Sequence, residues 1–468
     1  MSMKKSKRIP RKKKFSSGRV VDVPSQSGEL RRISLHAAGI DIGAERHFVA
    51  VPPESTPNPV REFGVFTKDL YAIADWLAEC GVKSAVMEST GVYWIPLFEV
   101  LEERGFEVRL ADARKAKNVS GRKSDVIDCQ WLQQLHCYGL LEGAFRPKDE
   151  ICVLRGYMRQ REMLVKCAAM HIQHMQKALQ QMNVRLDNVV SDITGQTGMR
   201  ILKAIVGGER DVNQLAAMRN PLCHASAEVI AQSLIGNYRQ EHLFALSQAV
   251  ELFEFYQRKI IECEQEIEKY LKTLARKRTD EPPPLTGREK KSRVCFKVRD
   301  EAYKLMGVDL FRINGLNAET VLRLMSEVGV DVSRFPTEKH FASWLCLSPE
   351  RQVSGGKVLS SRTKKSNNRA AAAFRQAAVS VGRSNSELGA FFRRMKARLG
   401  PAKAVTATAH KIARLYYRLI KYGHEYVDAG ATAYEEKYKA RVVTSLKKRA
   451  RGLGYELVAL ASSAPSVS

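Results

Sequence analysis

Between Ile33 and Leu141 the spacing of apolar residues changes period several times, and such a chain has to build a sheet with helices laid on it. "GIDIG" (39–43) and "HFVAV" read as two short strands joined by the turn "AERH", a hairpin, and "REFGVF" as a third strand. "DLYAIADWLAECG" has the helical step and a glycine stop. The strand "KSAVMEST", the helix "YWIPLFEVLEERG", the strand "FEVRLAD" and the helix "DVIDCQWLQQLHCYGLL" follow. The order predicts an α/β domain over 33–150, a mixed sheet with helices packed on it.

From 151 to 275 the period is helical almost throughout. "LRGYMRQREMLVKCAAMHIQHMQKALQQM" and "HLFALSQAVELFEFYQRKIIECEQEIEKYLKTL" carry apolar residues at three- and four-residue steps. Helices this long pair with one another, within a chain or between chains, so this region is expected to be coiled-coil-like. Between them lies the Gly-rich "DITGQTGMRILKAIVGGERD". The segment 276–298 contains three consecutive prolines between charged ends and reads as a linker. A mainly α unit follows over 299–425. It opens with a short helix, a Gly turn and a second helix in "DLFRINGLNAETVLRLMSEVG" and continues through a loop of small, hydroxyl and basic residues into an Ala-rich helix. Residues 1–32 read as a basic disordered arm and 426–468 as a basic polar tail.

Charge narrows the partners. Against 50 Asp plus Glu stand 77 Lys plus Arg, a formal charge of +27. So large an excess calls for a polyanion, first of all nucleic acid. No apolar stretch approaches the roughly 18 residues that span a bilayer, which sets the membrane reading aside. The nine cysteines form no CxxC pair, which argues against a zinc ribbon and a disulfide framework and for a reduced, cytoplasmic protein.

Four acids stand out. Asp125 and Asp128 are three apart on a predicted helix, which puts both carboxylates on one face. Asp41 sits inside an apolar strand, where an unpaired carboxylate is costly, and Glu88 closes another. Two strands and a helix presenting D…E…DxxD offer the hard oxygen ligands that Mg²⁺ (or Mn²⁺) takes for phosphoryl chemistry. A turn-capping role for Asp41, a helix-capping role for Glu88, a solvated face for the DxxD and Asp112 as a rival ligand are the alternatives. In "ERQVSGGKVLSSR", Ser354 precedes two glycines and Lys357, a setting in which a hydroxyl can approach a phosphate while lysine offsets the developing charge. Ser348, Ser360, Ser361 and Ser366 are rivals.

Basic residues flank both places: Arg114, Lys115, Lys117, Arg122 and Lys123 before the DxxD, and Lys357, Arg362, Lys364, Lys365 and Arg369 after Ser354. Such clusters are what phosphate binding requires. "RINGL" resembles a helix-hairpin-helix turn, whose amides can hold a phosphate. His171 and His174 are spaced as a metal pair would be but lack further ligands, so a helix face is the expected reading.

Taken together, "GIDIG", "MESTGVYW" (87–94), "ADARKAKNVSGRKSDVIDCQWLQQL" (111–135), "SDITGQTGMRILKAIVGGERD" (191–211), "INGLNAETVLRLMSEVG" and "FASWLCLSPERQVSGGK" resemble the transposases of insertion-sequence family 110, the Piv/MooV group, and within it the subgroup of insertion sequence 1111. The resemblance implies a RuvC-like (RNase H-like) DEDD domain with Asp41, Glu88, Asp125 and Asp128 as its metal-binding tetrad. It implies a C-terminal transposase domain with Ser354 as nucleophile. Acids and serine then act together on DNA through a covalent phosphoserine linkage, without ATP. It further implies a structured guide RNA from the element (a bridge or seek RNA) that pairs with donor and target DNA, a dimeric or tetrameric homo-oligomer, and a prokaryotic, nucleoid-associated location. The chain departs from the family pattern at Cys346, where glycine is usual, and at Asn314, where proline is usual. A nuclease or junction resolvase using the same acids to activate water, and a non-catalytic nucleic-acid-binding protein, are the rival readings.

Overall fold

The computed structural model describes residues 32–89, 91–111, 125–141, 143, 145–275, 281–284, 292–350, 352–423 and 428–458. The expected N-terminal arm, Asp112, most of the proposed linker and the five basic residues from Arg114 to Lys123 lie outside them. Two compact units form, Met1–Arg146 and Pro147–Ser468.

In the first unit, strands β1 (Ala37–Ile42), β2 (His47–Ala50) and β3 (Val60–Phe63) run antiparallel, and β4 (Ser84–Glu88) and β5 (Glu107–Ala111) join parallel to β1, in the order β3-β2-β1-β4-β5. Helices α1 (Thr67–Glu79) and α2 (Trp94–Glu103) cover one face, where Leu70, Ile73, Leu77, Leu97 and Leu101 meet Ala38, Ile40, Val49, Ala85 and Met87. Helix α3 (Asp125–Cys137) covers the other, packing Leu132 on Val86 and Ala111. This is the mixed sheet that the period changes predict.

In the second unit, α4 (Asp149–Gln181) and α9 (Gln240–Leu274) form an antiparallel hairpin, each about 50 Å long. Their direction follows from the pairs Tyr157 with Tyr270, Arg161 with Glu264, and His171 with Tyr256. At its far end α5 (Leu186–Val189), α6 (Gln196–Val206), α7 (Val212–Ala217) and α8 (Ala227–Ser233) complete the core with Ile201, Leu202, Ile205 and Ile230. Arg161 and Glu264 pair at 2.7 Å with side chains 7% and 1% exposed, and the other Glu264 oxygen accepts the Cys295 amide at 2.8 Å. A buried charge survives only with its valences filled in this way.

The rest of that unit comprises α10 (Val298–Met306), a 3-10 turn (Leu310–Arg312), α11 (Ala318–Val328), α12 (Glu338–Trp344), the hairpin β6 (Gln352–Ser354) and β7 (Lys357–Ser360), then α13 (Arg369–Val381), α14 (Glu387–Leu399), α15 (Pro401–Tyr422) and α16 (Gly430–Gly452). Phe341, Phe374, Tyr416 and Tyr417 form its buried aromatic centre. Two segments acquire structure that periodicity does not announce: the loop around Ser354 contains a strand pair, and the polar tail contains α16. No helix among the described residues is long and apolar enough to cross a membrane.

Candidate active site

Asp41 and Glu88 belong to neighbouring parallel strands. The register pairs Gly39 with Val86 and Ile40 with Met87, so one further step sets Asp41 opposite Glu88, both half-buried. Strand alternation then decides their face. Ile40 and Met87 point into the core under α1 and α2, so Asp41 and Glu88 point to the side that α3 covers.

The packing of α3 sets how far along the helix each acid lies. Ser84 Oγ is 3.0 Å from His136 Nε2, and Val86 packs on Leu132. Two residues of strand advance about 6.7 Å and four of helix about 6 Å, so the next pair in the series is Glu88 with Asp128. On β1, a Cβ at Gly39 would lie 2.3 Å from the Cys129 carbonyl oxygen and 2.3 Å from the Gln133 nitrogen. The helix backbone therefore rests directly on that strand, and Asp41 comes abreast of the first turn of α3, which Asp125 opens. The buried Cys129 thiol is pushed up to about 12, first by desolvation and then by the negative charges of Asp41 and, more weakly, Asp128. Asp128 itself is exposed.

Sequence patterning misses the supports beneath these acids. His136 is 2% exposed and held below the ordinary histidine range by burial and then by Arg109. Its partner Ser84 is only a strand residue until the fold is known. Among the described side chains no three acids, histidines or cysteines assemble into a metal-holding group; the Asp125 side chain is not among those described. Carboxylate oxygens are the donors that a hard divalent cation takes, so the chemistry of the donor set fits one.

Ser354 ends β6. Gly355 and Gly356 have φ of 55° and 75°, so the chain reverses in two residues and pairs Ser354 with Lys357 across an exposed hairpin. Positive φ at both central positions defines the tight turn whose twist suits a strand pair, and glycine takes it without strain. Two rival hydroxyls serve local turns: Ser360 Oγ accepts from the Arg362 amide at 3.3 Å and Ser366 Oγ from the Asn368 amide at 3.0 Å.

A model of the DEDD transposase domain of IS110 elements, described as a transposase, matches residues 38–184, spanning all four acids. A second, described as a transposase of the IS116/IS110/IS902 family, matches residues 309–393, spanning Ser354. The chain belongs to the IS110 family of transposases. No curated protein matches it.

The transposase is thus an enzyme acting on DNA, and its basic residues take on meaning accordingly. Lys357, Arg362 and Lys365 are exposed. Lys364 is exposed but pairs with Glu350 at 2.9 Å. Arg369 is bound at 2.9 Å to Glu162 of α4, which also accepts from Arg323 at 2.7 Å. Arg369 therefore ties α13 to the helical hairpin. His171 stacks on Tyr256 with ring centroids 5.4 Å apart and meets His174 edge-on, a packing role between α4 and α9.

Both departures from the family pattern have a structural place, that of Asn314 being a hydrogen bond from its Nδ2 to Asp428 at 2.8 Å. Cys346 follows α12 with φ of 52°, the left-handed position at a helix end where glycine is favoured. Its amide bonds to the Ser343 carbonyl and that of Leu347 to Ala342. In the "RINGL" turn, Gly315 has φ of 96° and a Cβ there would lie 2.7 Å from the Ala377 carbonyl oxygen. That glycine permits close packing of the turn on α13.

Proposed function

We propose that this transposase cuts and rejoins DNA strands through a phosphoserine intermediate at Ser354, with a divalent metal, Mg²⁺ or Mn²⁺, held by Asp41, Glu88, Asp125 and Asp128, and with a structured RNA from its own element choosing the DNA. The observation that carries the reading is the register that sets Asp41 beside Glu88 on the sheet face covered by α3, with Asp128 one step along. A bound divalent cation would supply charge neutralisation at the phosphate.

The protein's own residues account for the rest. The Ser354 oxygen forms a bond to phosphorus while one strand ester breaks, and the DNA oxygen that leaves ends as a hydroxyl, taking up a proton in balance with the one serine gives up. A DNA hydroxyl later attacks the same phosphorus and releases the serine. The count of phosphoester bonds is unchanged, so no nucleotide cofactor is consumed. Lys357, directly across the turn from Ser354, offsets charge developing on the phosphate. Exposure at a hairpin tip suits a nucleophile that must reach a duplex backbone. The +27 charge suits a polyanionic partner, DNA or RNA.

The test is a trapping assay with Mg²⁺, element-end DNA and the flanking element transcript, comparing wild type with Ser354→Ala and Asp128→Ala. A denaturant-resistant protein–DNA adduct, present in wild type and lost in both variants, is expected. Cleaved DNA without an adduct, still produced by Ser354→Ala, would replace this reading with metal-dependent hydrolysis by a nuclease or junction resolvase.

A further inference from the structure

Helix α16 has a fixed base and a largely exposed shaft. At the base, Asp428 accepts from the Gly430 amide at 3.1 Å, from the Glu387 amide at the start of α14 at 2.8 Å, and from Asn314 Nδ2 at 2.8 Å. Asn314, where the family pattern has proline, thus supplies a donor that proline lacks. One turn further, Tyr434 packs edge-on against Phe391 and is flanked by Arg394, whose guanidinium donates to its hydroxyl at 3.3 Å, and by Lys411, 5.4 Å from its ring centre. Beyond Tyr434, every residue from Glu435 to Arg451 is exposed except Val442 and Ala450, which are half-buried.

The shaft has a charge pattern. From Lys437 to Arg451 it carries Lys437, Lys439, Arg441, Lys447, Lys448, Arg449 and Arg451 and no acid. Lys437, Arg441, Thr444, Lys448 and Arg451 follow the i, i+4, i+7, i+11, i+14 spacing that keeps one helix face. That face is a stripe about 21 Å long, with small Thr444 at its middle and long cationic side chains on either side.

We propose that α16 is a docking arm for duplex DNA, seated in the major groove with this stripe turned toward the phosphates. Charge complementarity requires a polyanion, and shape selects among polyanions. A helix about 10–12 Å across, clear of the protein around most of its shaft, fits the roughly 12 Å major groove of B-form DNA. The major groove of A-form RNA is too deep and narrow for it. Single strands are gripped by aromatic platforms, whereas Tyr434 is engaged with Arg394 and Lys411, Tyr438 lies off the stripe against Arg394, and the stripe itself has no ring. The proposal rests on DNA being the transposase's substrate and is independent of Ser354 and the acids. The binding assay can therefore fail while the adduct assay succeeds, and the reverse.

The test uses the full-length protein and duplexes of one sequence, as DNA and as RNA, with affinity measured by fluorescence anisotropy across a salt series. Lys437→Gln/Arg441→Gln/Lys448→Gln/Arg451→Gln is compared with the off-stripe variant Lys439→Gln/Arg449→Gln, and circular dichroism checks that both keep wild-type helicity. At about 0.9 per phosphate contact, the log–log salt slope for DNA should flatten by about 3 to 4 in the stripe variant and by less than about 1 in the off-stripe variant. The slope for RNA should be nearly unchanged in both. An unchanged DNA slope in the stripe variant, flattening in proportion to charge in both variants, or an equal loss on RNA would overturn the proposal.

Discussion

Gly39→Ala tests the arrangement of the acids without touching any of them. The added methyl would meet the Cys129 carbonyl oxygen and the Gln133 nitrogen at 2.3 Å, and the Gln133 Cα at 2.8 Å. Ordinary contact is roughly 3.5 Å, so α3 has to rise from β1 by about 1 Å. All three atoms are helix backbone or attached to it, so no rotamer change relieves the clash. Overpacking of this kind costs about 1–3 kcal/mol. Alanine's smaller unfolded-state entropy returns about 0.4–1 kcal/mol, leaving a net loss of about 1–2 kcal/mol in urea unfolding. The functional loss should be larger, because lifting α3 moves Asp128 away from Asp41 and Glu88. A displacement near 1 Å at a catalytic constellation can cost about a hundredfold. The assay is the initial rate of adduct formation at saturating DNA, alongside urea unfolding of the same preparation. A Gly39→Ala protein with wild-type stability and wild-type rate would refute the direct seating of α3 on β1, and with it the register assigned to the acids.

Two further outcomes follow from the geometry. Gly315→Ala should destabilise the second unit by about 2–5 kcal/mol, combining the left-handed backbone penalty with a backbone clash against Ala377; if "RINGL" served chiefly to hold phosphate, DNA affinity would fall while thermal stability stayed unchanged. Acidification should weaken the first unit, because burial holds both His47 and His136 below the ordinary histidine range. The unfolded chain takes up these protons near pH 6.5 and the folded chain only at lower pH. This stability is therefore present above about pH 6.5 and lost as pH falls toward the folded values. Melting temperatures between pH 7.5 and 5.5 should show the decline, with a shallower slope in His136→Gln.

The alternation around Asp41 and the apolar run ending at Glu88 are local patterns, so their strands are legible in the sequence, as are α3 and the two long helices. Family motifs around Asp125, Asp128 and Ser354 are legible for the same reason, being contiguous words. What periodicity cannot state is which distant residue each side chain meets. Ser84 and His136 are 52 positions apart, and only the seating of α3 makes them partners. That Arg369 also pairs with Glu162 is invisible until α13 is brought against α4. Asn314 is a departure from a pattern until Asp428, 114 positions on, accepts its amide and fixes the base of α16. Sequence by itself determined most of the elements, though neither the β6–β7 pair nor α16, because backbone preference and apolar period act over a few residues. The tertiary structure alone decided which charges are paired with which, because pairing depends on distances that only packing sets.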